Sequence, residues 1–413
     1  PHYSTSILCL SYMKLYKREE LEMKKIIFNL LLSFLATAMF GQDIDSVLKE
    51  IEANSTTLGA LREQIEAEKI GNKTGIYLSN PEVEFNYLWG SPTAIGNRTD
   101  LVATQSFDFP TAYLHRKKIS GLENQNLDLQ YKSERINLLL RAKQICIELA
   151  YYNALTEAYD TRLQHAERIA ASYQKRFETG DINILEKNKS QVNLTMVENE
   201  RKNIEIERIA LLSQLEALNG GNPIRFDETT ILSTPLPLSF DDWFAVAAAK
   251  SPAMQHLDKQ IEIDKQQIKL NRALGMPKLH AGYMSEKVVG EYFRGVTVGI
   301  SIPLWENKNK VRHAKAQLRT AEAVLEDNKI QFYKHLQQLF NKSTGLQENA
   351  RKYRQTLNSH NNEALLKKSL DLGEISLLTY LLEAEYYYDT VNKTLEAERD
   401  FQLTLAELSA VEL

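Results

Sequence analysis

The sequence predicts a mainly α-helical chain with a β contribution, written twice on one plan of helix, β-hairpin and a pair of very long helices. Three observations predict it. Proline is absent between Pro110 and Pro223 and again after Pro303. The short segments bounded by proline alternate polar and apolar residues. Matching residues recur at separations of 193 to 196.

The bulk numbers agree with that class. Glycine (17) and proline (10) are scarce over 413 residues, which favours long helices over a loop-rich globule. The net charge of −4, with no basic tract, excludes a nucleic-acid binder. Before the first repeat, residues 23–41 read MKKIIFNLLLSFLATAMFG. Two lysines, a short apolar run and small residues after it predict a secretory signal peptide, since the run is below the ~20 residues a spanning helix needs. Residues 1–22 read as a stretch upstream of the better start at Met23. Of the two cysteines, Cys9 falls in that stretch, and Cys146 has no partner for a disulfide or a CxxC site.

The first repeat is expected over 43–222. Ser55-Thr56-Thr57-Leu58 matches Ser251-Pro252-Ala253-Met254, and residues 81–87 (PEVEFNY) match 277–283 (PKLHAGY), both 196 apart. Phe109-Pro110 matches Ile302-Pro303, and Gly180 matches Gly373, both 193 apart. The proline-to-glycine spacing is therefore 70 residues in each half. Proline is the strongest helix breaker, so its absence predicts helices over 113–219, with a linker at 223–240. The second repeat, 241–413, then carries long helices over 306–413. Ser251 with Pro252 reads as a capped helix start. Val197, Ile204, Leu211 and Leu218, then Leu381, Tyr388 and Leu395, give the seven-residue spacing of a coiled-coil seam.

The hairpins are expected over 81–110 and 277–303, with Pro81, Pro110, Pro277 and Pro303 at the strand ends. Val83, Phe85, Tyr87 and Trp89 share one face of the first strand, and Val296, Val298, Ile300 and Ile302 one face of the last. Phe107 and Phe109 also point one way. Strand length and alternation fit transmembrane β-strands, and fit soluble hairpins capping a helical rod equally well. A membrane barrel tolerates no open edge, and four strands cannot close one. The membrane reading therefore requires several chains.

No catalytic constellation is present: no HExxH, GxSxG, Walker loop or GxGxxG. Histidines are scattered singly and acids are spread along helices. The tyrosine clusters at 151–152 and 386–388 could line a conduit, and read better as interhelical packing. No enzyme activity, cofactor or metal site is expected.

The ordered set of SNPEVEFNY with PKLHAGY, FDFP with ISIPLW, and FETGDINILE with LDLGEISLLTYLLEAE resembles the TolC-like outer-membrane efflux proteins. That resemblance implies a homotrimer, with a twelve-stranded β-barrel in outer-membrane lipid and a periplasmic α-helical tunnel. It further implies an exit duct that docks a periplasmic adaptor coupled to an inner-membrane transporter, of the proton-driven resistance-nodulation-division type. Type I protein secretion uses the same architecture, and a secreted structural coiled coil is the alternative from another class. By resemblance, Phe177, Gly180, Asp181, Ile182 and Leu185, with Leu370, Gly373, Glu374, Ile375 and Leu378, form the periplasmic tip where the adaptor docks. Asp181 and Glu374 are expected to open the helices that follow the glycines. The family's acidic gate ring falls at Thr379 and Leu382, leaving Glu186 and Glu383 as candidate gate acids.

Overall fold

A computed structural model describes residues 43–230, 235–360 and 362–413. The predicted leader and the stretch upstream of it lie outside them. The elements are α1 (Ile44–Asn54), α2 (Thr56–Gly71), β1 (Glu82–Leu88), β2 (Arg98–Phe107), α3 (Pro110–Glu178) and α4 (Ile184–Leu218). The second series is α5 (Phe240–Lys250), α6 (Pro252–Ala273), β3 (Lys278–Val288), β4 (Glu291–Ser301), α7 (Lys310–Ser359), α8 (Glu363–Asp371) and α9 (Leu377–Leu408).

The duplication is visible in the capping chemistry. Ser55 accepts the N–H of Leu58 at 3.4 Å and starts α2; Ser251 accepts the N–H of Met254 at 3.4 Å and starts α6. Each hydroxyl satisfies a donor that a helix start leaves without a partner. The single helix expected ahead of each hairpin is therefore two, divided at a capping serine.

Contacts divide the chain into two units. The larger takes in Ile51–Ile147, Ala217–Asn222 and Leu232–Leu413. Its sheet has the order β1-β2-β3-β4 with every neighbour antiparallel. The central pairing, β2 with β3, joins the two repeats. Beside the sheet, Ala112, Ile119 and Leu122 of α3 pack with Ile263, Leu270 and Ala273 of α6. A second cluster joins Leu336 and Leu339 of α7 to Phe401, Leu405 and Leu408 of α9, with Phe240, Trp243 and Phe244 of α5 laid against it. Fully burying one such side chain contributes about 1.5–3 kcal/mol. Arg135 of α3 ties this unit further: it donates to both Glu52 carboxylate oxygens, at 2.6 and 2.7 Å, and to the Leu413 carbonyl oxygen at 2.6 Å. The guanidinium beside Glu52 holds that carboxyl below its ordinary range.

The other unit takes in Glu148–Glu216 and Pro223–Ile231 with the start of the described chain. Here α3 and α4 run antiparallel about the Gly180 turn. Arg208 Nε donates to Asn153 Oδ1 at 2.7 Å, and Arg201 Nε pairs with Asp160 at 2.6 Å. Residues 223–230 are more than a tether: Phe226 is fully buried, and buried Asn153 donates to the Phe226 and Glu228 carbonyls.

Three expectations are corrected. First, α3 starts at Pro110 rather than 113, because proline suits a first helical position, where the missing N–H costs nothing. Strand β2 ends at Phe107, so Pro110 opens a helix and does not itself end the strand. At 69 residues α3 is about 100 Å long. Second, the first of the long helices expected over 306–413 starts at Lys310 and is interrupted between Ser359 and Glu363, where His360 takes φ −128°, ψ 40°. The run Asn358-Ser359-His360-Asn361-Asn362 consists of weak helix formers, several of which compete for backbone hydrogen bonds. Third, the seam of α9 lies one residue earlier than read. Tyr380, Thr394, Phe401 and Leu408 are buried, while Leu381, Tyr388 and Leu395 are half-buried beside them. Thr394 is fully buried because its hydroxyl donates to the Thr390 carbonyl at 2.7 Å, within its own helix. In α4 the reading holds better: Ile204 is buried and Val197, Leu211 and Leu218 half-buried.

Ser55→Ala and Ser251→Ala are each expected to lower stability by about 1 kcal/mol, with additive costs in the double variant. Urea unfolding followed by circular dichroism measures both.

Candidate functional site

Each long helix pair turns through the same backbone device. In the first, Gly180 has φ +81°; its N–H donates to the Phe177 carbonyl at 3.1 Å, and the Asp181 N–H to the Arg176 carbonyl at 2.8 Å. In the second, Gly373 has φ +74°; its N–H reaches the Leu370 carbonyl at 3.0 Å, and the Glu374 N–H the Ser369 carbonyl at 2.9 Å. This paired bonding is the Schellman motif, which satisfies carbonyls left over at a helix end and requires a left-handed residue. Glycine adopts that conformation without a Cβ clash.

Asp181 and Glu374 do not open the following helices. Asn183 and Ser376 do, again 193 residues apart. Asn183 Oδ1 accepts the Glu186 N–H at 3.0 Å, and Ser376 Oγ accepts the Thr379 N–H at 3.1 Å. A cap needs a short acceptor three residues before the N–H it serves, and Asp181 lies too far back. Asp181 instead accepts from the Thr179 hydroxyl at 2.7 Å, inside the turn. The sequence signal was available: Asn-Ile-Leu-Glu and Ser-Leu-Leu-Thr both begin with a capping residue.

The other residues expected at the tip occupy matching environments. Phe177 and Leu370 are half-buried, as are Ile182 and Ile375. Leu185 and Leu378 are large apolar side chains left 66% and 50% exposed. Lys187 Nζ stands 5.2 Å from the Phe177 ring centre. Glu186 is half-buried near Tyr173, whose phenol is pushed up chiefly by burial. Glu383 is exposed on α9. Thr379, at a position expected for the gate ring, has its hydroxyl 2.9 Å from that of Ser376, so it belongs to the helix cap.

The sheet is two-faced. The register puts Val83, Phe85, Tyr87, Leu101, Ala103, Phe107, Leu279, Tyr283, Val296, Val298 and Ile300 on one side. Phe85 is 66% exposed, Val296 85% and Val298 79%. A soluble monomer rarely shows so broad an apolar patch. The other side carries Glu82, Glu84, Asp100, Glu286 and Glu291 against Arg98 and Lys278. There Arg98 pairs with Asp100 at 2.8 Å and Glu286 at 3.2 Å. Gly299 leaves room on this side for the His280 ring, whose Nε2 lies 2.0 Å from where a Cβ would sit. Pro81 and Pro277 immediately precede their strands, and Pro303 follows Ser301 by two residues.

Among the described residues, no helix is long and apolar enough to cross a membrane, and no three His, Cys, Asp or Glu side chains gather as a metal site would require. Burial pushes the Cys146 thiol up to about 12, so it stays protonated and inert.

Comparison with known proteins completes the picture. The profile of the family described as outer membrane efflux protein matches residues 243–411, the second repeat. The alkaline protease secretion protein AprF of Pseudomonas aeruginosa is 23% identical over 328 residues, covering 73% of this chain and 66% of that protein, just under two thirds of its length. Crystal structures of CusC superpose with a TM-score of 0.74 at 14% identity, over 90% of this chain and 92% of that one. The outer membrane protein VceC of Vibrio cholerae gives 0.72 at 15% identity, over 89% and 95%. At these identities the structural likeness is one of fold.

Gly180→Ala and Gly373→Ala are each expected to cost about 1 kcal/mol, because a Cβ strains the left-handed conformation. Gly59→Ala, in the interior of α2 with open space at its Cβ position, is expected to stabilise by about 0.5–1 kcal/mol. Thermal unfolding of the three variants separates the two signs.

Proposed function

We propose that the chain is a member of the outer membrane efflux protein family, whose profile matches residues 243–411, and that it is the outer-membrane exit duct of a tripartite efflux system. The observation that carries this reading is the sheet: one apolar face, one charged face and two edges, on β1 and β4, with no neighbour among the described strands. Unpaired backbone groups are untenable in lipid. Three copies joined edge to edge give twelve strands, an even number of the kind bacterial barrels use. The apolar face then meets lipid and the charged face lines a water-filled bore.

Conduction in this reading is passive. An inner-membrane transporter supplies the energy, and a periplasmic adaptor couples it to the duct at the turns around Gly180 and Gly373. Exposed Leu185 and Leu378 are the apolar side chains offered to that adaptor, and Glu186 and Glu383 are the candidate gate acids. Five carboxylates against two cations on the polar face favour cationic cargo, small molecules or metal ions. Protein export is the second reading, because the relative AprF is named for alkaline protease secretion.

Reconstituted into a planar bilayer, the protein is expected to form open channels and to migrate faster unheated than heated in gel electrophoresis. A mature protein that stays soluble and monomeric in buffer overturns the assignment in favour of a secreted coiled coil. The double variant Glu82→Gln, Glu84→Gln is expected to lower cation-over-anion permeability roughly twofold, by removing exposed charge from the bore, and the reversal potential reads it. A photo-crosslinker at position 185 or 378 should capture the adaptor, and Gly180→Pro with Gly373→Pro should abolish both capture and efflux. If capture and efflux survive, the docking assignment falls.

A further inference from the structure

The apolar face of the sheet is also segregated by charge. Across all four strands it carries no aspartate or glutamate, and its two cations, Lys287 and Arg294, lie diagonally across neighbouring strands near the β3–β4 turn. Lys287 is directly opposite Tyr292, and Arg294 is opposite Ser285. Both cations converge on one ring: Lys287 Nζ is 5.1 Å and the Arg294 guanidinium carbon 5.6 Å from the Tyr292 centroid. Both side chains are exposed.

The opposite face treats its cations differently. Arg98 is held by Asp100 and Glu286, and Lys278 lies 3.5 Å from Glu306. The cations that face the bore therefore have carboxylate partners, from the sheet for Arg98 and from the segment after β4 for Lys278, and the pair on the outward face has none. From Arg294 the strand continues through Val296, Val298 and Ile300 to its end at Ser301, about 24 Å at the usual strand rise, towards Trp305, which is 79% exposed. Tilted by about 35–45°, that run rises roughly 17–20 Å, most of the ~25 Å apolar band of a membrane strand. Lys287 and Arg294 thus lie at the turn-side boundary of the band, where long cationic side chains reach headgroup level.

We infer that Lys287, Arg294 and Tyr292 form a site for the anionic phosphate of a lipid headgroup, in the leaflet that surrounds the hairpin turns. The tyrosine ring attracts both cations, and a phosphate beside it gains charge-assisted hydrogen bonds from each. A lone basic residue at this depth would need only water. Two cations on one ring, on a face without acids, have a specific complement. The site rests on the reading of the sheet as membrane-embedded.

The test uses the full-length trimer in vesicles of phosphatidylcholine containing a minor fraction of phosphatidylglycerol, with retained lipids counted by native mass spectrometry. Retained lipid is expected to be enriched in phosphatidylglycerol roughly tenfold over its bulk fraction, in line with two basic residues at an anionic surface. Lys287→Gln with Arg294→Gln should bring the enrichment to within about twofold of none. Arg294→Lys should keep it, and so should Lys278→Gln, which removes one positive charge from the bore face. Equal enrichment in the wild type and the double glutamine variant overturns the site. Displacement of the lipid by about 10 mM inorganic phosphate assigns the cations to a soluble anion and overturns it as well. Failure to enter pure phosphatidylcholine vesicles is a different result, since it removes the membrane reading itself.

Discussion

Every backbone N–H and C=O of a folded chain needs a partner, and the layout of this protein follows from where that requirement is hardest to meet. Long helices meet it internally except at their ends, which accounts for the uniform treatment of those ends. Ser55, Ser251, Asn183 and Ser376 cap helix starts, while Gly180 and Gly373 close helix ends with paired backbone bonds. The sheet meets the requirement between its strands but leaves one edge on β1 and another on β4. In the membrane reading, those edges leave a single copy incomplete in lipid, and a second copy can satisfy them.

Duplication explains why the devices recur. Capping serines 196 residues apart and turn glycines 193 apart make the same hydrogen bonds at nearly the same distances. The repeats also meet physically, since β2 of one pairs with β3 of the other along its whole length. They diverge where local sequence does. The first repeat runs α3 through 69 residues without a break, whereas the asparagine-rich run at 358–362 interrupts the second. A duplicated plan thus tolerates a change inside one helix as long as the turn and caps beyond it survive.

Polar side chains in the helical regions do specific work. Asn153 has its amide and its carbonyl both occupied, by two carbonyls of the segment after α4 and by Arg208. The Arg201–Asp160 pair is half-solvated, so its worth is below about 1 kcal/mol and its effect is to fix register. These contacts were not legible beforehand, because an asparagine or arginine within a long polar helix looks like any solvated residue. The buried Thr394 escaped for the same reason: a hydroxyl satisfied within its own helix behaves as a small apolar group in a seam.

The sequence alone determined the features that depend on local chemistry. Proline spacing bounded the helices and strands, alternation set the strand faces, and glycine marked both turns, because each of these constrains backbone angles within a few residues. It also resembled a family that the profile match then supported. Tertiary structure decided what depends on distant partners. It set the pairing of β2 with β3, the seam of α9 along Tyr380, Thr394, Phe401 and Leu408, and the anchoring of Phe226. It also placed Lys287 and Arg294 around Tyr292, on a face stripped of acids. Which residues come face to face across strands or helices is fixed by register, and register is set by the whole packed chain rather than by any one segment.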